Sequence, residues 1–140
     1  MPPPVQSTGV LQTLGLTNRP HDLIEVVRSG LPIQVFRTLA EALDVSDKAL
    51  ANLAGISGTT LTRRKRIGRL APDESEHVLR LANLLEYAAQ VFEDVGDAAA
   101  WLKTPNLSLG NLTPLDYADT EIGAREVENL LGRIDHGVYS

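Results

Sequence analysis

Between Ser57 and Arg69 the chain sets Ser57, Thr59, Thr60 and Thr62 beside a basic run, Arg63, Arg64, Lys65 and Arg66, with Arg69 following. These residue types in this order suit contact with a polyanion. Hydroxyls near a helix N-terminus meet phosphates or base edges, and a guanidinium reads guanine through two parallel hydrogen bonds. Charge is segregated around this run. Residues 48–72 hold six basic side chains and no acidic one, whereas 73–140 hold thirteen acids against four bases, in a chain of net charge −5. Such a division marks a small anion-facing surface on an acidic body.

The elements that would position this run have the spacing of a helix-turn-helix over residues 47–66. Ala51 is small where two helices cross. Gly55 suits a left-handed turn, which glycine adopts without steric penalty. Leu50, Ile56 and Leu61 supply the apolar contacts that fix the angle between helices. One position departs from the motif: three residues after Leu61, where an apolar side chain is usual, stands Arg64. Either Ile67 takes the apolar role or the second helix is rotated.

A second group of residues closes the chain. Trp101, the single tryptophan, reads as an anchor of a C-terminal core. Thr104-Pro105-Asn106 and Gly110-Asn111 are turn chemistry. Gly123 falls inside an expected helix, at ~1 kcal/mol relative to alanine, which close approach of another helix would explain. Gly137 is expected to end the last helix, leaving Val138, Tyr139 and Ser140 to protrude. A tyrosine at such an end fills a pocket while its hydroxyl finds a donor or acceptor.

Other chemistries find little support. His21, His77 and His136 lie far apart in sequence, none in a metal-binding motif, and no phosphate-binding glycine loop or nucleophile elbow is present. No metal, no cofactor and no catalytic residues are expected. Cysteine is absent, which excludes disulfides and thiolate sites. No apolar run approaches the roughly 18 residues of a membrane span, and no secretory leader is recognisable, so a soluble cytoplasmic protein is expected.

An apolar fraction of 43% with six aromatic residues favours helix-on-helix packing. Residues 1–20 read as a flexible leader in which Val10, Leu11, Leu14 and Leu16 could dock as a short helix. Asp22 should cap a helix to Arg28, stopped by Gly30. Pro32 should open another running to about Leu43, with Val35, Phe36, Leu39, Ala40 and Leu43 on one face. Ser46 should cap the next, and a further helix is expected from Gly58 to about Ile67, ended by Gly68. Pro72 begins the longest helix, with Asp73, Glu74 and Glu76 at the positive end of its dipole. Its stripe of Val78, Leu81, Leu85, Ala88, Phe92 and Val95, widened by Ala82, Leu84 and Val91, exceeds what one packing face needs. Part of it is expected to pack on a second chain. Asp97 should cap a short helix to Leu102, Thr113 with Pro114 and Asp116 another, and Thr120 the final helix, buried through Val127, Leu130, Leu131 and Ile134.

Taken with the helix-turn-helix spacing, the segment from Trp101-Leu102 through Thr113-Pro114-Leu115-Asp116 and Gly123 to Arg133-Ile134-Asp135-His136-Gly137-Val138-Tyr139-Ser140 resembles the C-terminal toxin-binding region of the Xre/MbcA/ParS antitoxins. The resemblance covers residues ~34 to 140. It implies an all-α helical bundle: residues 21–95 as a helix-turn-helix lobe with a long central helix, and 96–140 as a small toxin-binding lobe. It implies a RES-type toxin as partner, of the class that consumes NAD, whose active site is obstructed by Gly137, Val138, Tyr139 and Ser140, with Arg133 and Asn106 at the interface. It also implies autorepression by a homodimer on operator DNA, through Ser57, Thr59, Thr60, Thr62, Arg63, Arg64, Lys65, Arg66 and Arg69. The alternative is a plain helix-turn-helix repressor whose C-terminal lobe only oligomerises.

Overall fold

The computed structural model describes residues 9–137, and among these it contains helices and no strand. A four-residue helix, α1 (Val10–Thr13), begins it, and Val10, Leu11, Leu14 and Leu16 are all buried. The apolar residues of the expected leader therefore dock; residues 1–8 lie outside the described residues.

Contacts divide the chain into two compact units, Leu11–Leu79 and a second comprising Val10 and the chain from Arg80 onward. The first holds α2 (Pro20–Ser29), α3 (Ile33–Leu43), α4 (Asp47–Leu53) and α5 (Gly58–Ile67). Helix α2 starts at Pro20 rather than after Asp22, because Pro at the first helical position is pre-set in φ; Asp22 then lies in the first turn, where its charge suits the helix dipole. Gly30 terminates α2. Helix α3 buries Val35, Phe36, Leu39, Ala40 and Leu43, the face that three- and four-residue spacing predicts.

The longest helix, α6 (Pro72–Phe92), begins in the first unit and continues in the second, so packing divides it at Leu79–Arg80, whereas the sequence suggests a boundary at 95/96. Val78, Leu81, Ala82, Leu84, Leu85, Ala88 and Ala89 are each at most 2% exposed. The central part of the expected stripe is thus used within the chain, whereas Val91, Phe92 and Val95 at its far end are only half-buried. Val95 also falls outside α6, since Glu93 turns the chain at φ +60.

The second unit continues with α7 (Val95–Leu102), a 3-10 turn (Leu107–Leu109), α8 (Pro114–Tyr117) and α9 (Glu121–Asp135). The cap of α7 is Asp94, whose carboxylate accepts from the Asp97 amide at 2.8 Å; Asp97 is the capped residue, not the cap. Thr113 and Thr120 cap α8 and α9, accepting from the Asp116 and Gly123 amides at 3.0 Å each. Trp101 is half-buried and packs on Phe92 with ring centroids 5.7 Å apart. Helix α9 buries Gly123, Ala124, Val127, Leu130 and Leu131, whereas Ile134, expected on the same face, is only half-buried near the helix end.

Candidate functional site

Helices α4 and α5 form the helix-turn-helix. The Ser46 hydroxyl caps α4 by accepting from Ala49 N at 3.0 Å. Gly55 turns the chain at φ +74, and Ile56 N donates back to the Ala51 carbonyl at 2.8 Å. Leu50, Ala51, Ile56 and Leu61 are buried, as the motif requires. Ser57 caps α5: its oxygen accepts from Thr60 N at 3.1 Å, while its hydroxyl donates to Thr60 Oγ1 at 3.0 Å.

With Leu61 turned inward, 3.6 residues per turn put Thr59, Thr62, Arg63 and Arg66 on the opposite side of α5, at i, i+3, i+4 and i+7. All four are exposed. Thr62 Oγ1 donates to the Gly58 carbonyl at 3.1 Å. Arg63 and Arg66 make no hydrogen bond or ion pair among the described residues, so both guanidiniums are available to a ligand.

Arg64, Lys65 and Arg69, by contrast, are engaged within the chain. Arg64 forms a two-pronged pair with Glu74 of α6, Nε to Oε1 at 2.8 Å and Nη2 to Oε2 at 3.1 Å, with the side chains only 20% and 13% exposed. This hydrogen-bonded pairing holds the Glu74 carboxyl below the usual glutamate range, against the opposing effect of its burial, and raises the Arg64 guanidinium above its ordinary value. Ile67 is 62% exposed, so the apolar role does not pass to it; the ion pair fills that position. Lys65 Nζ lies 2.9 Å from Asp47 Oδ2 in α4, and Arg69 Nη1 donates to the Gly30 carbonyl at 2.6 Å.

In the second unit, Asn106 organises the loop that carries it. Its Oδ1 accepts from Ser108 N at 2.9 Å, its amide donates to the Leu112 carbonyl at 3.0 Å, and its own carbonyl accepts from Leu109 N and Asn111 N at 2.9 Å each. The loop so fixed holds Leu107 88% exposed, with Leu112 48% exposed beside the 106–112 bridge. Sequence reasoning passed over both. The turn-rich segment holds three leucines, of which Leu109 is buried, and no local signal separates it from the exposed two. Arg133 is exposed on α9 and has no ion pair among the described residues. No hydrogen bond joins it to Asn106, and the structure does not assemble the two into one polar cluster. Near the end of α9, burial first, then the Asp135 and Glu128 carboxylates, raise the Tyr87 phenol. Gly137 follows α9 at φ +68, and Val138, Tyr139 and Ser140 lie outside the described residues.

His77 Nδ1 lies 3.0 Å from the Ala54 carbonyl, and among the described residues no cluster of three or more His, Asp or Glu could hold a metal ion. No helix among them is long and apolar enough to cross a membrane.

The fold and its exposed basic helix define a helix-turn-helix protein with an appended C-terminal helical unit. Two family models divide the chain at nearly the same place: the antitoxin Xre-like helix-turn-helix domain matches residues 22–83, and the antitoxin Xre/MbcA/ParS C-terminal toxin-binding domain matches 88–137. The chain is 33% identical to Antitoxin Xre of Yersinia enterocolitica over 99% of this chain and 97% of that protein. It is 34% identical to Antitoxin Xre of Photorhabdus laumondii, over 97% and 94% respectively. A third relative, 26% identical over 86% of this chain and 82% of its own length, is the Prs ADP-ribosylating antitoxin of a Sphingobium species. The chain belongs to the Xre/MbcA/ParS antitoxin family.

Proposed function

We propose that this antitoxin neutralises a RES-type, NAD-consuming toxin by occupying its active site, and that as a homodimer in the cytoplasm it binds operator DNA and represses its own expression. The observation that carries the reading is the pairing, in one chain, of an exposed basic helix face with a C-terminal unit that matches a toxin-binding domain. Inhibition is steric, and the chain performs no chemistry itself: a filled site cannot admit NAD. The C-terminal residues Gly137, Val138, Tyr139 and Ser140 enter the toxin, with Arg133 and the loop shaped by Asn106 on the contact surface. Leu107 adds an apolar anchor.

On the DNA side, Thr59, Thr62, Arg63 and Arg66 face the duplex, and Ser57 and Thr60 stand at the N-terminus of the same helix. A two-fold operator calls for two such helices, one per protomer. Most of the apolar stripe of α6 is used within the chain, so the dimer rests chiefly on this symmetry. Helix α2, which has no buried residue and leaves Ile24 48% exposed, is the surface to vary first.

Co-purification with the product of the adjacent gene tests the reading, with NAD loss assayed with and without this protein and with this protein alone. A stable complex that abolishes NAD loss is expected, and deletion of Tyr139 and Ser140 should remove neutralisation while leaving operator binding intact. No complex, with tight binding to its own promoter, would leave the plain repressor. NAD turnover by the purified chain alone would overturn the steric mechanism.

A further inference from the structure

We propose that Glu74, Ser75 and His77 of α6 form a polar clasp that sets the orientation of the DNA-reading helix, and that Arg64 belongs to this clasp rather than to the DNA contacts. The inference rests on the operator-binding reading above and assigns positioning residues to it.

Three side chains within one turn of α6 hold three different segments. Glu74 receives both prongs of the Arg64 guanidinium from α5. Ser75, fully buried, accepts from the Leu31 amide in the α2–α3 connection at 2.8 Å and donates to the Ala71 carbonyl at 2.8 Å. His77 Nδ1 meets the Ala54 carbonyl, the last before Gly55 turns the chain toward α5. A carbonyl only accepts, so Nδ1 carries the proton there. Glu74 is also held from its own helix start, because Oε1 accepts the Ala71 amide at 2.9 Å.

The physical consequence concerns direction. The turn between α4 and α5 is short, so the pose of α5 depends on what its inward side packs against. An apolar contact at position 64 would tolerate rotation, since dispersion is weakly directional. A fork of two parallel N–H···O bonds is not: it fixes both the distance and the plane of the guanidinium. Arg64 lies on the side of α5 away from Thr62 and Arg66, so the same geometry that orients the reading face removes Arg64 from it.

The test uses the full chain. Operator affinity, affinity for unrelated DNA and the slope of log affinity against log salt are measured for wild type, Glu74→Gln and the double variant Arg64→Met/Glu74→Met. Loss of the directional pair in Glu74→Gln should lower the ratio of operator to unrelated-DNA affinity about tenfold, the effect of one misread base pair. Its salt slope should stay unchanged. A pair that merely stabilised the fold would weaken both DNAs alike and leave the ratio intact. In the double variant an apolar contact replaces the pair without stranding a charge, so folding is retained and the salt slope should equal that of wild type. A slope shallower by ~0.9 in that variant, the value of one neutralised phosphate, would make Arg64 a DNA-backbone ligand and overturn the assignment. An unchanged ratio in Glu74→Gln would overturn the clasp. Wild-type protein showing no operator preference at all would sink the DNA-binding reading, and the clasp with it.

Discussion

The carbonyl oxygen of Tyr117, at the end of α8, occupies the space that a β-carbon on Gly123 of α9 would need. Thr120 Oγ1, which caps α9 through the Gly123 amide, closes the same gap from another side. Replacing Gly123 by alanine should therefore reduce stability by about 1–3 kcal/mol through overpacking, although alanine is intrinsically the better helix former by ~1 kcal/mol. Urea unfolding measures the balance. A variant as stable as wild type would mean that α8 and α9 separate freely, and that the tight contact is not a constraint on the C-terminal unit.

Acid should weaken the protein through Glu74. Its folded-state carboxyl titrates below the unfolded value, so the unfolded chain binds the proton more readily. That contribution is complete above the ordinary glutamate range and is lost as pH falls through that range to the depressed folded value. Arg64 shifts the other way, and its contribution disappears only in strong alkali, outside any working range. Urea midpoints followed downward from neutral pH should fall less steeply in Glu74→Gln than in wild type. Parallel curves would show that other carboxylates dominate acid unfolding.

Salt dependence should separate the cations of α5 and its flank. Arg63→Ala and Arg66→Ala are each expected to lower the operator-binding slope by ~0.9, one phosphate fewer being neutralised in each variant. Lys65→Ala and Arg69→Ala should leave it unchanged, because Asp47 and the Gly30 carbonyl already hold those side chains. Equal slope changes at all four positions would mean that the intramolecular pairs open on binding DNA.

Leu107 offers the cleanest separation of folding from partner binding. At 88% exposure it contributes little to the core, so Leu107→Ser should leave stability within about 0.5 kcal/mol of wild type. A rigid apolar anchor at an interface is worth more than ~1 kcal/mol, so toxin affinity should fall roughly fivefold or more. Titration calorimetry with purified toxin reads the difference, and unaltered affinity would take Leu107 out of the interface.

Local chemistry made much of this protein legible from its sequence. Ser46, Thr113 and Thr120 announce helix starts because a side-chain oxygen three residues ahead of a free amide is a short-range device. The faces of α3 and α9 follow from helical periodicity, and Gly55 marks the turn before the reading helix. The sequence also placed the basic run on one helix and, by resemblance, the family. Partner choice over distance was another matter. Whether Arg64 faces DNA or Glu74 depends on where α6 passes α5, and ten residues of chain do not encode that locally. The stripe on α6 looked too wide for a single chain because its neighbours could not be counted along the sequence; once the fold surrounds it, its central positions are filled. Leu107 shows the converse, since the loop closed by the hydrogen bonds of Asn106 turns Leu109 inward and leaves Leu107 outside, a choice no local spacing announces. Capping and periodicity act within a turn or two of helix, whereas burial and ion pairing depend on which segments the fold brings together.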